Sequence, residues 1–208
     1  ALNARPFAPL SKIVEIAGLA GKRINAGHVG FQLAPRINAA GRMASPRIAY
    51  ELLVEDDPVS IERGARTLNQ LNQRRQAQEQ AILKDIAARF PAVVDGRRTL
   101  VLADPSWPVG LVGIVASRVQ QEILYGPSII LAVDPEAGIA RGSARSIPGF
   151  DLHRALQRTD DLLLTWGGHK MAGGMTLSIG KLDTFAKAFE RIASEYQAET
   201  FVPLGRVD

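Results

Sequence analysis

Residues 58–89 constrain the fold of this chain more than any other stretch. Their apolar positions recur at roughly the three- and four-residue spacing of an α-helix. These positions are Ile61, Ala65, Leu68, Leu71, Ala77, Ile82 and Ile86. Pro58 suits the first turn of a helix, and Pro91 suits a position beyond its end. The middle of the stretch, residues 69–80, is rich in Gln, Asn and Arg. A long helix with a polar middle indicates a connector between two domains.

The sequence patterns on the two sides of this helix differ. Upstream, short helices are predicted at 8–17 and 46–54, and another runs from after Asn25 through Ile37, where Pro35 disturbs one turn. Downstream of Asp95-Gly96, predicted strands alternate with helices, which indicates an open α/β sheet covered by helices. The predicted strands are 99–103, 128–133, 139–146 and 174–179, and the predicted helices are 109–124, 152–158 and 182–196. The predicted division is therefore 1–57, 58–91 and 92–208.

Composition excludes several classes of protein. The chain of 208 residues is 46% hydrophobic and 22% charged, as ordinary soluble globular proteins are. It has no cysteine, which excludes a disulfide framework and a thiolate metal site. The absence of cysteine is compatible with a cytoplasmic location, which we expect. No apolar run is long enough to span a bilayer, and no membrane partner is expected. The first residues lack an initiating Met and a signal-peptide pattern, which predicts that the chain begins inside a longer protein.

The distribution of charge favours an anionic partner. The net charge is +4, and two segments, 35–47 and 139–150, contain arginines but no acidic residue. The arginines of these segments are Arg36, Arg42, Arg47, Arg141 and Arg145. We expect Arg36 and Arg47 on a solvated face, and Arg42 and Arg145 toward a ligand, because a guanidinium binds phosphate in a bidentate manner.

Residues 167–174, Gly-Gly-His-Lys-Met-Ala-Gly-Gly, form the strongest candidate site. One interpretation is a loop whose backbone N–H groups approach a phosphate, with His169 as the titratable group at its edge. The other is a tight turn entering a strand, in which the histidine is incidental. The glycine content alone does not decide between them.

Three further segments lie where a predicted strand or helix ends, as ligand sites in open α/β sheets do. They are residues 38–42, 106–113 and 142–146. The helix start at 109–113 favours an anion, and Ser143, Arg145 and Ser146 form a phosphate-binding set. Trp107 and Trp166 are open to two interpretations, base stacking or core packing. Neither metal-ligand spacing nor a nucleotide-binding fingerprint is present.

Four blocks of this sequence resemble the RecJ family of single-stranded-DNA exonucleases, in the family's order and spacing. They are residues 35–42 (PRINAAGR), 110–118 (GLVGIVASR), 142–152 (GSARSIPGFDL) and 167–174 (GGHKMAGG). The resemblance runs from about residue 5 to residue 196. It implies an α/β protein in which the helical tail of a DHH domain and a long connecting helix precede an α/β DHHA1 domain with a mixed sheet. The 167–174 block alone marks only the DHHA1 type of domain.

The resemblance also implies an activity, namely 5′→3′ hydrolysis of single-stranded DNA in DNA repair and recombination. In the family, Mn²⁺ or Mg²⁺ is held by Asp and His residues of an upstream DHH domain whose motifs are not in this chain. The segment alone is therefore expected to be inactive. Its implied partners are single-stranded DNA and the upstream domain, with a single-strand-binding protein and a helicase as further expected partners.

Residue roles follow from the same resemblance. Arg42 is expected to bind phosphate near the 5′ end of the DNA, with Asn38 supporting it or touching a nucleotide. Ser143 and Arg145 would hold phosphates of the entering strand. His169, held by Gly167 and Gly168, would lie near the scissile phosphate as the catalytic residue. The chain departs from the family at Pro108, where a histidine is common.

Two alternatives remain at this stage. One is a phosphodiesterase of the same superfamily that cleaves short oligonucleotides or a cyclic dinucleotide. The other is a non-catalytic nucleic-acid-binding scaffold. Intact Asp and Asp-His-His motifs upstream would indicate an enzyme, and a length series of DNA substrates would separate the two enzymatic classes.

Overall fold

A computed structural model describes residues 3, 4, 7–89 and 96–203. The chain forms two compact units, Ala1–Gln78 and Glu79–Asp208, and their boundary falls inside the long helix. The predicted division at 57/58 and 91/92 stays a prediction. Among the helices of the described residues, none has the length and apolar character needed to cross a membrane.

The first unit is helical, as predicted. Its helices are α1 (Ala8–Ile16), α2 (Ala26–His28), α3 (Ala34–Met43), α4 (Pro46–Leu53) and the start of α5 (Pro58–Arg89), with a π-helical turn at Val29–Leu33 between α2 and α3. Their apolar faces share one core. Its buried side chains include Ile13, Leu33, Leu52, Ile61 and Leu68.

Pro35 disturbs one helical turn, which confirms the prediction. A proline has no N–H to donate to the carbonyl four residues earlier. The backbone responds with a π-turn, in which the N–H of Ala34 donates to the carbonyl of Val29, five residues back.

The expectation for Arg36 was wrong, whereas Arg47 is solvated as predicted. Arg36 is half-buried and donates to Asn69 Oδ1 at 3.0 Å and to the carbonyl of Gln32 at 2.6 Å. Burial lowers the pKa of Arg36. Arg36 is therefore a structural residue that joins the segment around α3 to α5. Arg47 lies on the surface and pairs with Glu51 one helical turn later.

The second unit is built on a five-stranded mixed sheet in the order β1-β2-β3-β5-β4, as the mixed α/β prediction expected. The strands are β1 (Leu100–Asp104), β2 (Ser128–Asp134), β3 (Ile139–Arg145), β4 (Thr165–Gly168) and β5 (Ala172–Ser178). β1 and β2 are parallel, and the remaining pairs are antiparallel. The sequence did not predict β4.

Helices cover this sheet unequally on its two faces. The helices are α6 (Val112–Glu122), α7 (Leu152–Gln157) and α8 (Leu182–Ser194), so α6 begins three residues later than predicted. Ala140 and Ala144 of β3 belong to the core that includes Phe185 and Phe189 of α8. Because successive strand residues point to opposite faces, Arg141, Ser143 and Arg145 lie on the other face.

Two polar contacts fix the helices of the second unit. Asp151 caps α7, as predicted, by accepting a hydrogen bond from the N–H of Arg154 at 3.1 Å. Glu79, the first residue of α5 in the second unit, is buried and accepts a hydrogen bond from Arg118 of α6 at 3.0 Å. A buried carboxylate needs such a partner, so this ion pair attaches this part of α5 to α6.

Candidate nucleic-acid interface

The face of the sheet opposite α7 and α8 is partly open. On this face α6 packs on β2 and β3, whereas Thr165, Gly167 and Gly174 of β4 and β5 are exposed. A cleft of about 420 Å³ lies here. Its lining includes Val109, Val112, Arg141, Ser143, Gly174 and Thr176. Strand residues and the start of a helix therefore meet at one concave surface.

The four glycines of the 167–174 block form two cross-strand pairs, Gly167 with Gly174 and Gly168 with Gly173. The fold requires the second pair. Gly168 has φ +149°, and a Cβ there would lie 2.4 Å from the carbonyl oxygen of Ala172. A Cβ on Gly173 would lie 3.0 Å from Leu156 Cδ1. These two glycines therefore serve the backbone and the packing beneath it.

Packing does not require glycine at Gly167 and Gly174, which form the first pair. A Cβ on Gly167 would have no described neighbour within 4 Å, and one on Gly174 would meet only the carbonyl oxygen of Gly142 at 3.7 Å. Neither residue has a positive φ. Glycine inside a strand costs stability, and it often marks a site where a ligand or another backbone approaches closely. Gly174 lines the cleft, and Gly167 is its partner on β4, so this pair leaves the sheet surface bare for such an approach.

The 167–174 block is a β-hairpin. The four glycines lie in paired strands, so the backbone matches the interpretation of a tight turn beside a strand, and the approach of a phosphate to this block stays a prediction. His169 begins the turn, and its N–H donates to the carbonyl of Ala172 at 2.8 Å. The carbonyls of Lys170 and Met171 accept hydrogen bonds from Leu152 and Ser146. The turn is thus tied to the rest of the unit, and His169 is exposed at its tip.

Ser143 and Arg145 lie together beside the first turn of α6. The guanidinium of Arg145 donates to Ser117 Oγ at 3.0 Å and to the carbonyl of Ala144 at 2.8 Å. A Cβ on Gly113 would lie 3.2 Å from Arg145 Nη2 and 3.3 Å from Ser143 Oγ. Gly113 therefore allows α6 to approach these two side chains.

This arrangement suits an anion. No side chain caps the N-terminus of α6, and the start of a helix carries a partial positive charge. A guanidinium and a hydroxyl lie beside it, as phosphate recognition requires.

The other two predicted site residues belong to the first unit. Asn38 and Arg42 are one turn apart on α3, and both are exposed. Ala39 and Ala40 between them are fully buried. The structure therefore places Asn38 and Arg42 on one surface of α3, and their predicted contacts with DNA stay a prediction.

Two residues of the second-unit site were missed by the sequence prediction. Ser117, which orients Arg145, falls inside the 110–118 block, four residues after Gly113, and that helical spacing was the available signal. Arg141 belongs to the basic segment 139–150, but neither its chemistry nor the family resemblance assigns it to the site. It lines the cleft because it alternates with Ser143 along β3.

Both tryptophans are packing residues. Trp107 is 3% exposed and belongs to the core. Trp166 packs against the core of the second unit, its indole N–H donates to Asp160, and its ring lies edge-on to His153. His28 also has a structural role, because its ring nitrogen accepts a hydrogen bond from the N–H of Asn25.

Carboxylates and imidazoles do not converge in the part of the chain that the structure describes. There, no group of three or more His, Asp or Glu side chains is placed to hold a metal ion. The described residues therefore do not fit a catalytic metal centre.

Comparison with known proteins gives consistent matches. The DHHA1 domain family matches residues 96–195. The single-stranded-DNA-specific exonuclease RecJ of Bacillus subtilis is 36% identical over 200 residues, which cover 96% of this chain and 25% of that protein. RecJ of Thermus thermophilus is 33% identical over 195 residues, which cover 94% and 27%.

Solved structures agree with this result. RecJ of Thermus thermophilus in complex with Mg²⁺ has a TM-score of 0.83 at 32% identity, covering 94% of this chain and 30% of that one. An exonuclease RecJ bound to manganese has a TM-score of 0.80 at 32% identity, covering 94% and 48%. The chain spans about a quarter of the length of the RecJ proteins of Bacillus subtilis and Thermus thermophilus.

Proposed function

We propose that this chain is the DNA-binding part of a single-stranded-DNA exonuclease. The premise is that it carries a DHHA1 domain and is homologous to the C-terminal part of the RecJ single-stranded-DNA-specific exonucleases. The observation that carries the proposal is the bare glycine pair, Gly167 and Gly174, beside Ser143 and Arg145. A strand held by its phosphates, without reading of its bases, needs a surface of this kind.

Within this proposal, each group has a distinct task. Arg145 and Ser143 bind backbone phosphate, and the first turn of α6 adds its N-terminal partial charge. The bare glycines let the sugar-phosphate chain lie against the sheet. Asn38 and Arg42 bind the strand near its 5′ end, and His169 acts at the scissile phosphate.

The metal ions of the reaction are assigned to an upstream DHH domain. RecJ structures similar to this chain hold Mg²⁺ or Mn²⁺, whereas the described residues offer no donor cluster. The part played by this chain is therefore to bind and orient the strand. A role in DNA repair and recombination, with a single-strand-binding protein and a helicase as partners, belongs to the same proposal.

The first test uses the chain as it stands. We expect it to bind a fluorescently labelled single-stranded oligonucleotide weakly, with an affinity that falls as salt rises, because phosphate contacts release counterions. Anisotropy titrations at several salt concentrations measure this binding. We expect no hydrolysis in Mn²⁺, followed on gels with the same oligonucleotide.

The two readouts contradict different parts of the proposal. Absence of salt-dependent binding would contradict the DNA-binding role. Manganese-dependent degradation by a nuclease-free preparation would contradict the assignment of the metal ligands to another domain. A length series on the full-length enzyme adds a third readout, since preference for dinucleotides would favour the oligonucleotide or cyclic-dinucleotide alternative.

His169 is tested in the full-length enzyme. We expect His169→Ala to lower kcat about tenfold, the equivalent of one hydrogen bond to a charged group at about 1.5 kcal/mol, with a smaller effect on DNA affinity. Single-turnover kinetics and binding titrations separate the two effects. Lys170→Ala, at the neighbouring turn position, is the control. Equal losses of kcat and affinity would assign His169 a positioning role.

A further inference from the structure

Arg141 is an exposed arginine that the predicted site does not use. It lies in β3 on the same face as Ser143 and Arg145, and no hydrogen bond or ion pair joins its side chain to another described residue. Its neighbours in the sheet are Ala132 and Thr176, neither of which is charged. The guanidinium is therefore available to an external anion.

Arg141 lies between two clefts. One is the cleft of about 420 Å³ that contains Ser143 and Gly174, and the other has a volume of about 570 Å³. Both clefts are lined by Val109 and Arg141. Because they share these two residues, they form one continuous track along β3, from Ser143 to Arg141.

The second cleft differs from the first in chemistry. Its walls include Trp107, Val109, Pro135 and Ile139, and Val109 is 55% exposed. Asp134 and Glu136 also line it, and their charges repel phosphate. The cleft therefore suits the apolar face of a nucleobase, while the phosphate of the same nucleotide is attracted to Arg141.

The geometry of the strand fits this division. Alternate residues of a β-strand are about 6.6 Å apart, so Arg141 and Ser143 offer two anion contacts in succession along one line. A guanidinium makes planar, bidentate contacts with phosphate, so Arg141 suits a second phosphate better than a lysine would.

We infer that Arg141 binds a further backbone phosphate of the single strand, next to the phosphate held by Ser143 and Arg145, with the base of that nucleotide in the apolar cleft. This inference rests on the proposed function and extends it, because it assigns the line that the strand follows along β3 and one more nucleotide of contact.

The experiment compares Arg141→Ala with Arg154→Ala in the 208-residue chain, using labelled oligothymidylates of increasing length. Arg154 is also exposed, and it lies on α7, against the opposite face of the sheet. For long oligomers we expect Arg141→Ala to lower affinity about tenfold and to reduce the slope of log affinity against log salt by about 0.7, the value for one phosphate contact of a single strand. Arg154→Ala leaves both quantities unchanged. The loss of affinity caused by Arg141→Ala should be smallest for the shortest oligomers that bind, because they are too short to reach Arg141 as well as Ser143 and Arg145.

The cleft is tested with an abasic oligomer of equal length. We expect Val109→Ser to weaken binding of oligothymidylate more than binding of the abasic strand. Equal affinity and equal salt slope for Arg141→Ala and Arg154→Ala would overturn the inference while leaving the proposed function intact. Failure of the unchanged chain to bind DNA would instead contradict the proposed function. Matching melting temperatures show that the variants are folded.

Discussion

Replacing Gly174 with valine is expected to lower affinity for single-stranded DNA about tenfold or more, while leaving the chain at least as stable as before. A Cβ at this position meets only the carbonyl oxygen of Gly142, at 3.7 Å, so the fold has room for a β-carbon there. Glycine in a strand interior costs roughly 0.5–1 kcal/mol relative to alanine, and valine favours strands. The isopropyl group would project into the cleft beside Ser143 and keep a phosphodiester backbone from the sheet.

Opposite changes in the two measurements are the strength of this test. Urea unfolding gives the free energy of unfolding, and anisotropy gives the affinity for the oligonucleotide. A variant that merely damaged the fold would lose both. Gly167→Val, on the paired strand, is expected to behave in the same way, since a Cβ there has no described neighbour within 4 Å.

Gly168→Ala is the matched control, one residue along the same strand. Its φ of +149° and the 2.4 Å approach of a Cβ to the carbonyl oxygen of Ala172 make alanine strained there, at a cost of about 1–3 kcal/mol. We expect this variant to lose stability first and affinity only as a consequence. Unchanged DNA binding by both Gly174→Val and Gly167→Val would show that the bare surface is not where the strand lies.

Much of the fold could be predicted because its signals are local. The helical periodicity of residues 58–89 and the buried strand at 128–133 need no knowledge of the rest of the molecule. Strand β4 could not be predicted in this way. Half of its four residues are glycines, which have little preference for strands, and its pairing with β5 supplies the structure.

For the candidate site, the sequence supplies residue types but not their arrangement. Ser143 and Arg145 were identified from chemistry and resemblance, and their alternation along a strand places them on one face. The division of the four glycines into two that the backbone needs and two that it does not depends on φ and on the register of the hairpin. Neither quantity can be obtained from a run of glycines in a sequence.

The contact between Ser117 and Arg145 was unpredictable for a related reason. It joins a helix to a strand 28 residues apart in sequence, and it depends on how closely α6 approaches β3. That approach is possible because residue 113 has no side chain. The contact makes Ser117 a positioning residue, and this role can be separated from the charge of Arg145 itself.

Arg145→Ala is expected to reduce affinity for single-stranded DNA about 10- to 100-fold, because hydrogen bonds between charged groups contribute about 1.5–3 kcal/mol. Its salt slope should fall by about 0.7, since one phosphate contact is lost. Ser117→Ala removes an oriented hydrogen bond but keeps the charge. We therefore expect a smaller loss of affinity, about threefold, the equivalent of a net hydrogen-bond contribution below 1 kcal/mol, with an unchanged salt slope.

Conservative variants separate the charge of Arg145 from its orientation. Ser117→Thr keeps the hydroxyl and should restore affinity, whereas Arg145→Lys keeps the charge but lacks the planar group that donates to both Ser117 Oγ and the Ala144 carbonyl. Arg145→Lys should therefore retain the salt slope and still bind more weakly than the unchanged chain. If Ser117→Ala lowered the salt slope as Arg145→Ala does, the loss of the Ser117 hydroxyl would remove a phosphate contact, and its role would not be limited to orienting the guanidinium. If Arg145→Ala bound as well as the unchanged chain, the phosphate contact would have to lie elsewhere on this face, with Arg141 as the remaining guanidinium along β3.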